Sequence, residues 1–523
     1  MSAGTHTLPP TAATDGERAT PSPRSSGAAV VALARFEARE LLLQIPVLLF
    51  LAVYVAYTAW TLFSGREGMD EFPVLQDVDR STQSAPLLLA IALFVGVNRA
   101  VLRSRRQSTD RHFDVLVMEP WRRTLAHALS VLPFVAITAL VVGFEFTWAA
   151  LKPGAVGHGS PAELAVGPLV ILLAGVLGVL LARLIPVGFV APPFVIGAYA
   201  LTILVSASTQ GAHGVTWLGP VVSDAGADPF PSDLLGRPAA WHALYLIGLT
   251  ALLLCLAVLL SGGRTRLLAV VAVVAAAATG LGVAGQSPGD SAALTAARAK
   301  ASVTPQKVQV CIEHGRSTYC AFPEWAGRTA DWADIVDRIQ SRAGGSAGGE
   351  RLTVRQRIDA RYGLQSDAMV TPSGTPGTVT VGTRWGGNRT PEFAVGVASV
   401  LVAGDEKSAG EACDARVVTT MWLALSTQPD PMQSLRDVRL DDSTKGSAYV
   451  LAPTSSRYMT AQQTTVVREL LTKPHYSVAA KVKAHWTELT SPKTPTTRVA
   501  ELLGVPVGGK GTPADSGSGS CVR

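Results

Sequence analysis

Trp241-His-Ala-Leu-Tyr-Leu-Ile-Gly-Leu-Thr-Ala-Leu-Leu-Leu-Cys-Leu-Ala-Val-Leu-Leu-Ser261 is followed, after only Gly262-Gly-Arg-Thr-Arg266, by Leu267-Leu-Ala-Val-Val-Ala-Val-Val-Ala-Ala-Ala-Ala-Thr-Gly-Leu-Gly-Val-Ala-Gly285. Neither run contains Asp, Glu, Lys or Arg. Each is close to the roughly 20 apolar residues that a helix needs to cross a hydrocarbon core about 30 Å thick. The two arginines between them mark a short charged turn, so the pair reads as a transmembrane helical hairpin. Working toward the N-terminus, the same criterion selects Leu41–Phe63, Ala85–Leu102, Leu125–Leu151, Leu164–Ile185 and Val187–Ser208, for a total of seven expected spans. Only Arg183, Pro186 and Gly188 separate the fourth from the fifth.

The composition agrees with this reading. Of 523 residues, 48% are hydrophobic and only 16% charged, against about 25% charged in soluble proteins. The charge is also unevenly placed. Residues 1–285 carry 18 Lys/Arg and 17 Asp/Glu, whereas the shorter remainder carries 27 and 22. The expected fold is therefore an α-helical polytopic membrane domain over 28–285, followed by a mixed α+β soluble domain over 286–507. A Ser/Thr/Pro-rich leader over 1–27 and a Gly/Ser-rich tail over 508–523 are expected to be disordered. No apolar core with a cleavage site follows an early basic stretch, so the leader is not read as a secretory signal.

Positive residues beside membrane spans stay on the cytoplasmic side. With the N-terminus inside, fourteen arginines fall in inner segments and four Lys/Arg in outer ones. The first outer loop is acidic, with Glu67, Asp70, Glu71, Asp77 and Asp79. Seven crossings then put residues 286–523 outside the cell membrane. The cysteines point the same way: Cys255 lies in a span, whereas Cys311, Cys320, Cys413 and Cys521 make an even number in the soluble part, where an oxidising compartment permits disulfides.

Val308, Val310 and Ile312 alternate toward Gly315, and Ser317–Ala321 reads as a returning strand. If Gly315-Arg316 forms a two-residue turn, Cys311 opposes Cys320 at a non-hydrogen-bonded site, within reach of a disulfide. A turn at His314-Gly315 would destroy that register. Four cysteines allow three connectivities. Cys413 with Cys521 is the remaining pair, or Cys521 stays free near the chain end. Helical spacing is found at Trp332, Ile335, Val336 and Ile339, at Val466, Val467, Leu470 and Leu471, and at Val478, Val482, Trp486 and Leu489. Val499, Leu502 and Leu503 form a last helix, stopped by Gly504 and Pro506.

Enzymatic patterns fail. No His-Glu-x-x-His occurs among the nine scattered histidines, and no metal site is expected. The Gly504–Lys510 stretch lacks the Ser/Thr and the helix of a phosphate loop. Gly280-x-Gly282-x-x-Gly285 matches a dinucleotide fingerprint but lies within a span, where small residues let helices approach closely. Glu145, near the outer end of the third span, is the one ionisable group to weigh for a transport path. It precedes Lys152 by only about 10 Å of helix, which also suits an interfacial position. No basic face with interleaved aromatics appears, so nucleic acid is not an expected partner.

The loop between the second and third spans is the informative one: Arg103-Ser-Arg-Arg-Gln-Ser-Thr-Asp-Arg-His-Phe-Asp-Val-Leu-Val-Met-Glu-Pro-Trp-Arg-Arg-Thr124. Phe113, Leu116, Val117 and Met118 share one side of a short helix beginning near Thr109 or Asp110, which Glu119-Pro120 should end. Composition alone would equally suit a helix lying on acidic membrane lipid. With its span arrangement, the loop resembles the exporter-type membrane subunits, or permeases, of ABC transporters in high-GC bacteria. In that family a charged loop of the form Arg-Arg…Asp/Glu-x-Leu…Pro-x-x-x-Arg docks on a separate ATP-binding subunit. The matching positions are Arg105, Arg106, Asp110, Phe113, Leu116, Pro120, Arg122, Arg123 and Thr124. The resemblance covers about residues 28–285. The family core has six spans, so a seventh and an exterior domain would be extensions. The exterior part resembles C-terminal regions of similar permeases through Val310–Pro323 and Ala484–Leu489.

The resemblance implies a membrane subunit of an ABC-type exporter with no cofactor or catalysis of its own. ATP is then bound and hydrolysed by the partner subunit, and the permease acts as a homodimer or with a paired permease. The alternative is a membrane-anchored exterior binding or sensing protein whose spans serve as anchor and relay.

Overall fold

The computed structural model describes residues 23–63, 71–107, 118–208, 216–222, 229–363, 370–387 and 389–506. Among them, six helices are long and apolar enough to cross a membrane. Helix α1 (Pro23–Leu42) comes first and is not one of the six. The apolar set opens with α2 (Ile45–Phe63). The short α3 (Leu75–Ser81) leads into α4 (Pro86–Val101), and α5 (Pro120–Leu129) bends at Ser130 into α6 (Leu132–Ala150). Then follow α7 (Pro161–Leu184), α8 (Ala191–Ser208), α9 (Ala239–Leu260) and α10 (Arg266–Gln286). Prolines open α4, α5, α6 and α7 at their first or second positions, where the missing N–H costs nothing. Thr265 caps α10 by accepting from the Leu268 amide. Every expected span has a helix in its place. The 18-residue α8 stands where the fifth was expected, outside the set of six.

Helix α7 is the axis of the bundle, with two-thirds of its apolar window buried, whereas α10 and α2 bury little. Helices α9 and α10 lie close because glycines face aromatic residues. A Cβ on Gly282 would stand 2.6 Å from the Tyr245 amide nitrogen, and one on Gly285 2.3 Å from the Trp241 ring. The Gly280-x-Gly282-x-x-Gly285 pattern is thus packing chemistry at its last two glycines, and Gly280 faces open space.

Beyond α10, α11 (Ala292–Val303) leads into a sheet of four strands, β1 (Val310–His314), β2 (Ser317–Ala321), β3 (Thr353–Gln356) and β4 (Thr378–Val381), ordered β1-β2-β3-β4. The first pair is antiparallel and the next two are parallel. Helix α12 (Thr329–Arg342) connects β2 to β3. Helices α13 (Arg389–Ala403) and α14 (Ala415–Leu425) complete a core in which Trp325, Trp332 and Trp422 are fully buried. A hairpin of β5 (Ala448–Val450) and β6 (Arg457–Met459), then α15 (Ala461–Thr472), α16 (His475–Ala484) and α17 (Thr496–Leu503), close the domain. The helix expected to run through Val478 and Leu489 is interrupted at His485, and Trp486 turns onto Gly344 and Gly345.

Gly315 has φ +58° and His314 pairs with Ser317, so the turn is Gly315-Arg316. Cys311 opposes Cys320 with Cα atoms 4.0 Å apart, and the two are disulfide-bonded. Cys413 is also disulfide-bonded, and Cys521, its proposed partner, lies outside the described residues.

The membrane bundle and this domain interlock. Val74, Val156 and Phe230, with Leu234 and Leu235 of the helical turn Ser232–Leu235, all from connections between the apolar helices, are buried in one cluster with Trp325, Trp332 and Tyr319. The Gln76 amide donates to Phe230 O at 3.0 Å and to Glu324 Oε2 at 2.8 Å. Arg298 of α11 donates to Leu234 O and Leu235 O and pairs with Asp290. The chain before α3, after α6 and before α9 therefore shares one end of the bundle with the exit of α10. At the other end α1 packs on α5, and Thr124 bonds Ser261 at 2.7 Å.

Replacing Cys311 and Cys320 together by Ser removes a cross-link between residues nine apart in sequence. The loop-closure relation values this at about 2–3 kcal/mol. Unfolding of the full chain, followed by tryptophan fluorescence, should move to lower temperature, and dithiothreitol should lower the wild type by more than it lowers the double variant, which retains only the disulfide of Cys413.

Candidate partner-docking site

The residues singled out between the second and third apolar helices frame an end of the bundle that carries its own buried electrostatics. Helix α1 forms because Val30, Ala34, Ala38 and Leu41 recur at helical spacing and bury on one side, with Arg35, Arg39 and Glu40 on others. It packs along α5 through Val30, Ala34 and Ala126. Glu37 of α1 is 7% exposed. Arg103 donates to Glu37 Oε2 at 3.4 Å and stands 3.8 Å from Glu40, while His127 Nδ1 lies 3.9 Å from Glu37. Burial pushes the Glu37 carboxyl above the ordinary carboxylate range, Arg103 pulls it back, and Glu40 raises it further. Three stretches far apart in sequence, α1, the end of α4 and α5, are thereby joined around one acidic side chain.

Arg105 and Arg106 belong to a helical turn over Arg103–Arg106 directly after α4. Asp110, Phe113 and Leu116 lie outside the described residues, as does the helix expected there. Pro120 is exposed and is the first residue of α5, so Glu119-Pro120 opens the next helix. Arg122 is held by Glu119 at 3.0 Å and lies over the Trp121 ring at 5.1 Å, and Trp121 in turn abuts Gly263. Arg122 and Arg123 are both partly exposed. Any force on this loop therefore reaches α5 at its first turn, and α5 continues into α6 through the bend at Ser130.

Glu145 sits in α6, partly buried, with no hydrogen bond or ion pair among the described residues. Glu145 lines neither of the cavities at the opposite end from Arg122. Among the described residues no group of three or more His, Cys, Asp or Glu is arranged to hold a metal.

Sequence reasoning missed α1, Glu37 and the polar residues joining the two parts of the chain. The α1 signal was present in Val30, Ala34, Ala38 and Leu41, diluted by small residues. The distant polar pairings carry no local signal.

A carboxyl whose pKa is raised on folding contributes stability below its unfolded value, near 4.3, and that contribution is lost as pH rises through the raised folded value. Glu37→Gln should therefore raise the melting temperature at pH 7.5 by about 1–3 °C, with the difference from wild type vanishing near pH 4. Differential scanning fluorimetry across that range checks it, and a destabilised variant at pH 7.5 would show that the Arg103 pair outweighs burial.

Comparison of the chain with protein-family models, with curated proteins and with solved structures gave no match.

Proposed function

We propose that this chain is the membrane-spanning subunit of an ABC-type exporter, coupled through residues 103–124 to a separate subunit that binds and hydrolyses ATP. The observation that carries the reading is the course of α5. It starts at the arginine-flanked loop, packs its length on α1, and bends directly into an apolar crossing. A partner that moves the loop would tilt α6 and drag α1 with it, a lever for alternating access. The chain carries no nucleotide motif, so the energy source resides in the partner. The interiors of the apolar helices are almost wholly aliphatic, which suits an amphipathic or lipid-like cargo, with Glu145 as the ionisable group on its path. Helices α2 and α10 bury under a fifth of their apolar windows within the chain, leaving faces for lipid, a second copy or a paired permease.

Seven crossings with a cytoplasmic N-terminus fit the connections. Helix α7 leaves the interlocked end and spans about 36 Å at 1.5 Å per residue, so α8 begins at the α1 end. After α8, the Arg237 guanidinium lies over the Trp217 ring at 4.9 Å and Pro220 O lies 3.4 Å from His242 Nε2, back at the interlocked end. This course of the chain supports α8 as a fifth crossing. The C-terminal α+β domain then lies outside the cell, in keeping with its disulfides.

A second reading, a membrane-anchored exterior binding or sensing protein, is favoured by one feature. A cleft of about 610 Å³ is lined jointly by Phe72, Lys152 and Gly154 of the membrane part and by Arg328, Asp334 and Trp385 of the exterior domain.

Affinity purification of the tagged full-length chain in mild detergent should recover an ATP-binding subunit, and Arg122→Glu with Arg123→Glu should reduce that recovery about tenfold or more while the melting temperature of the chain stays within a degree or two of wild type. No ATP-binding subunit in the wild-type preparation, or undiminished recovery with the double variant, would favour the anchored binding protein instead.

A further inference from the structure

We propose that the exposed face of α1 is a binding surface for anionic phospholipid, whose phosphate its arginines hold while its apolar side chains enter the adjoining acyl layer. The inference rests on the reading of the apolar helices as membrane crossings. It needs neither an ATP-binding partner nor a choice of which side of the membrane α1 occupies.

Helix α1 has two unlike sides. At about 100° per residue, Val30, Ala34, Glu37, Ala38 and Leu41 fall together, and all five are buried. Val31, Arg35, Arg39 and Phe36 follow one another over an arc of about 140° on the other side, and all four are exposed, Phe36 by 53%. A face that mixes arginine with large apolar side chains suits neither water nor a protein core. It suits the boundary between head groups and acyl chains, where a guanidinium stays at the level of the phosphates and an apolar side chain reaches below them.

The place of α1 in the chain puts its face at that boundary. Helix α2 begins three residues after α1 ends, and its 19 residues make about 28 Å of helix. That length covers a hydrocarbon core and little more, so the start of α2 lies at the membrane surface, and the end of α1 with it. The exposed apolar surface is also continuous along the chain. Leu43 and Ile45, the latter 79% exposed, lie between Phe36 and the exposed Leu48 and Leu49 of α2, a helix that buries under a fifth of its apolar window. The lipid that covers α2 therefore reaches α1.

Charge decides which lipid. Arg35 and Arg39 stand one turn apart on the same stripe, where like charges repel, and neither makes a side-chain hydrogen bond or ion pair among the described residues. Both acids of α1 are engaged elsewhere: Arg103 stands 3.4 Å from Glu37 and 3.8 Å from Glu40. An anion between the two free guanidiniums removes the repulsion, and guanidinium is the side-chain cation best shaped to take phosphate oxygens in pairs. Phosphatidylcholine carries its own cation beside the phosphate. An anionic phospholipid such as phosphatidylglycerol keeps a net negative charge for the arginines.

The test uses the full chain in nanodiscs. Ala32 is exposed between Arg39 and Phe36 on the arc, and the one free cysteine among the described residues, Cys255, is buried. A fluorophore attached through Ala32→Cys should be quenched by lipid spin-labelled near the head group and shielded from aqueous iodide. Replacing about a third of the phosphatidylcholine by phosphatidylglycerol should raise the melting temperature by about 2–4 °C at low salt, and about 0.5 M sodium chloride should remove most of that rise. Arg35→Gln with Arg39→Gln should lose at least half of it. Arg264→Gln with Arg266→Gln, which takes the same charge from the same end of the bundle, should keep most of it. If the first double variant fails to fold, the quenching at position 32 and the salt dependence decide.

A label open to iodide and untouched by the lipid quencher would overturn the proposal and leave the face to a protein partner. So would no response to phosphatidylglycerol, or an undiminished rise in the Arg35 and Arg39 variant. An equal rise from glycerol phosphate dissolved over pure phosphatidylcholine nanodiscs would also overturn it and assign the arginines to a soluble phosphate. None of these outcomes depends on whether an ATP-binding partner exists.

Discussion

Hydrocarbon offers no partner to a backbone amide or carbonyl, so a chain can pass through it only in segments that satisfy their own hydrogen bonds. Each apolar helix therefore fixes its two ends on opposite faces, and the placement of every polar feature in this molecule follows from that sequence of reversals. At one end stand α1, the Arg103 turn, the start of α5 and the Arg264 turn. At the other stand α3, the turn at Val156, the strip from Phe230 to Arg237, and the exit toward α11. The first set is rich in arginine around a single buried glutamate, and the second is rich in buried amides and carboxylates.

The second set also welds the two parts of the chain. Val74 and Val156 form an isolated bridge, and both are buried with the tryptophans of the C-terminal domain. Gln76 reaches across 248 residues to Glu324, and Ser232 donates its amide to the same carboxylate at 3.0 Å. These bonds are partly or fully removed from water, where a lost partner costs about 1–3 kcal/mol. Helix α6 runs from the break after α5 toward the turn at Val156, so one helix connects the Arg122 end of the bundle with the end that is welded to the C-terminal domain.

Much of this was legible in the sequence, for identifiable reasons. Uniform apolar runs are imposed by the solvent they face, so each expected span has a helix within a few residues of its bounds. The Cys311–Cys320 pairing was legible because a two-residue turn at a glycine sets register for the whole hairpin. Strands β3 and β4 were not, since each is four residues long and pairs in parallel with chain 20 or more residues away. Helix α1 escaped notice because alanine does half of its packing. Of the docking residues, Pro120, Arg122 and Arg123 lie in the first turn of α5, and the helix expected to end at Glu119-Pro120 lies outside the described residues. The set of Gln76, Asp79, Glu163 and Glu324 had no local signature: its members meet only when loops separated by about 80 or more residues converge.

Sidedness is the claim on which the rest turns, and it can be read chemically in intact cells. Tyr476 is 82% exposed on the C-terminal domain, and Arg264 is exposed in the turn between α9 and α10. With Tyr476→Cys and Arg264→Cys made separately, a membrane-impermeant maleimide applied to whole cells should label the first and label the second only after lysis. Labelling of Arg264→Cys in intact cells, with Tyr476→Cys protected until lysis, would contradict seven crossings from a cytoplasmic N-terminus.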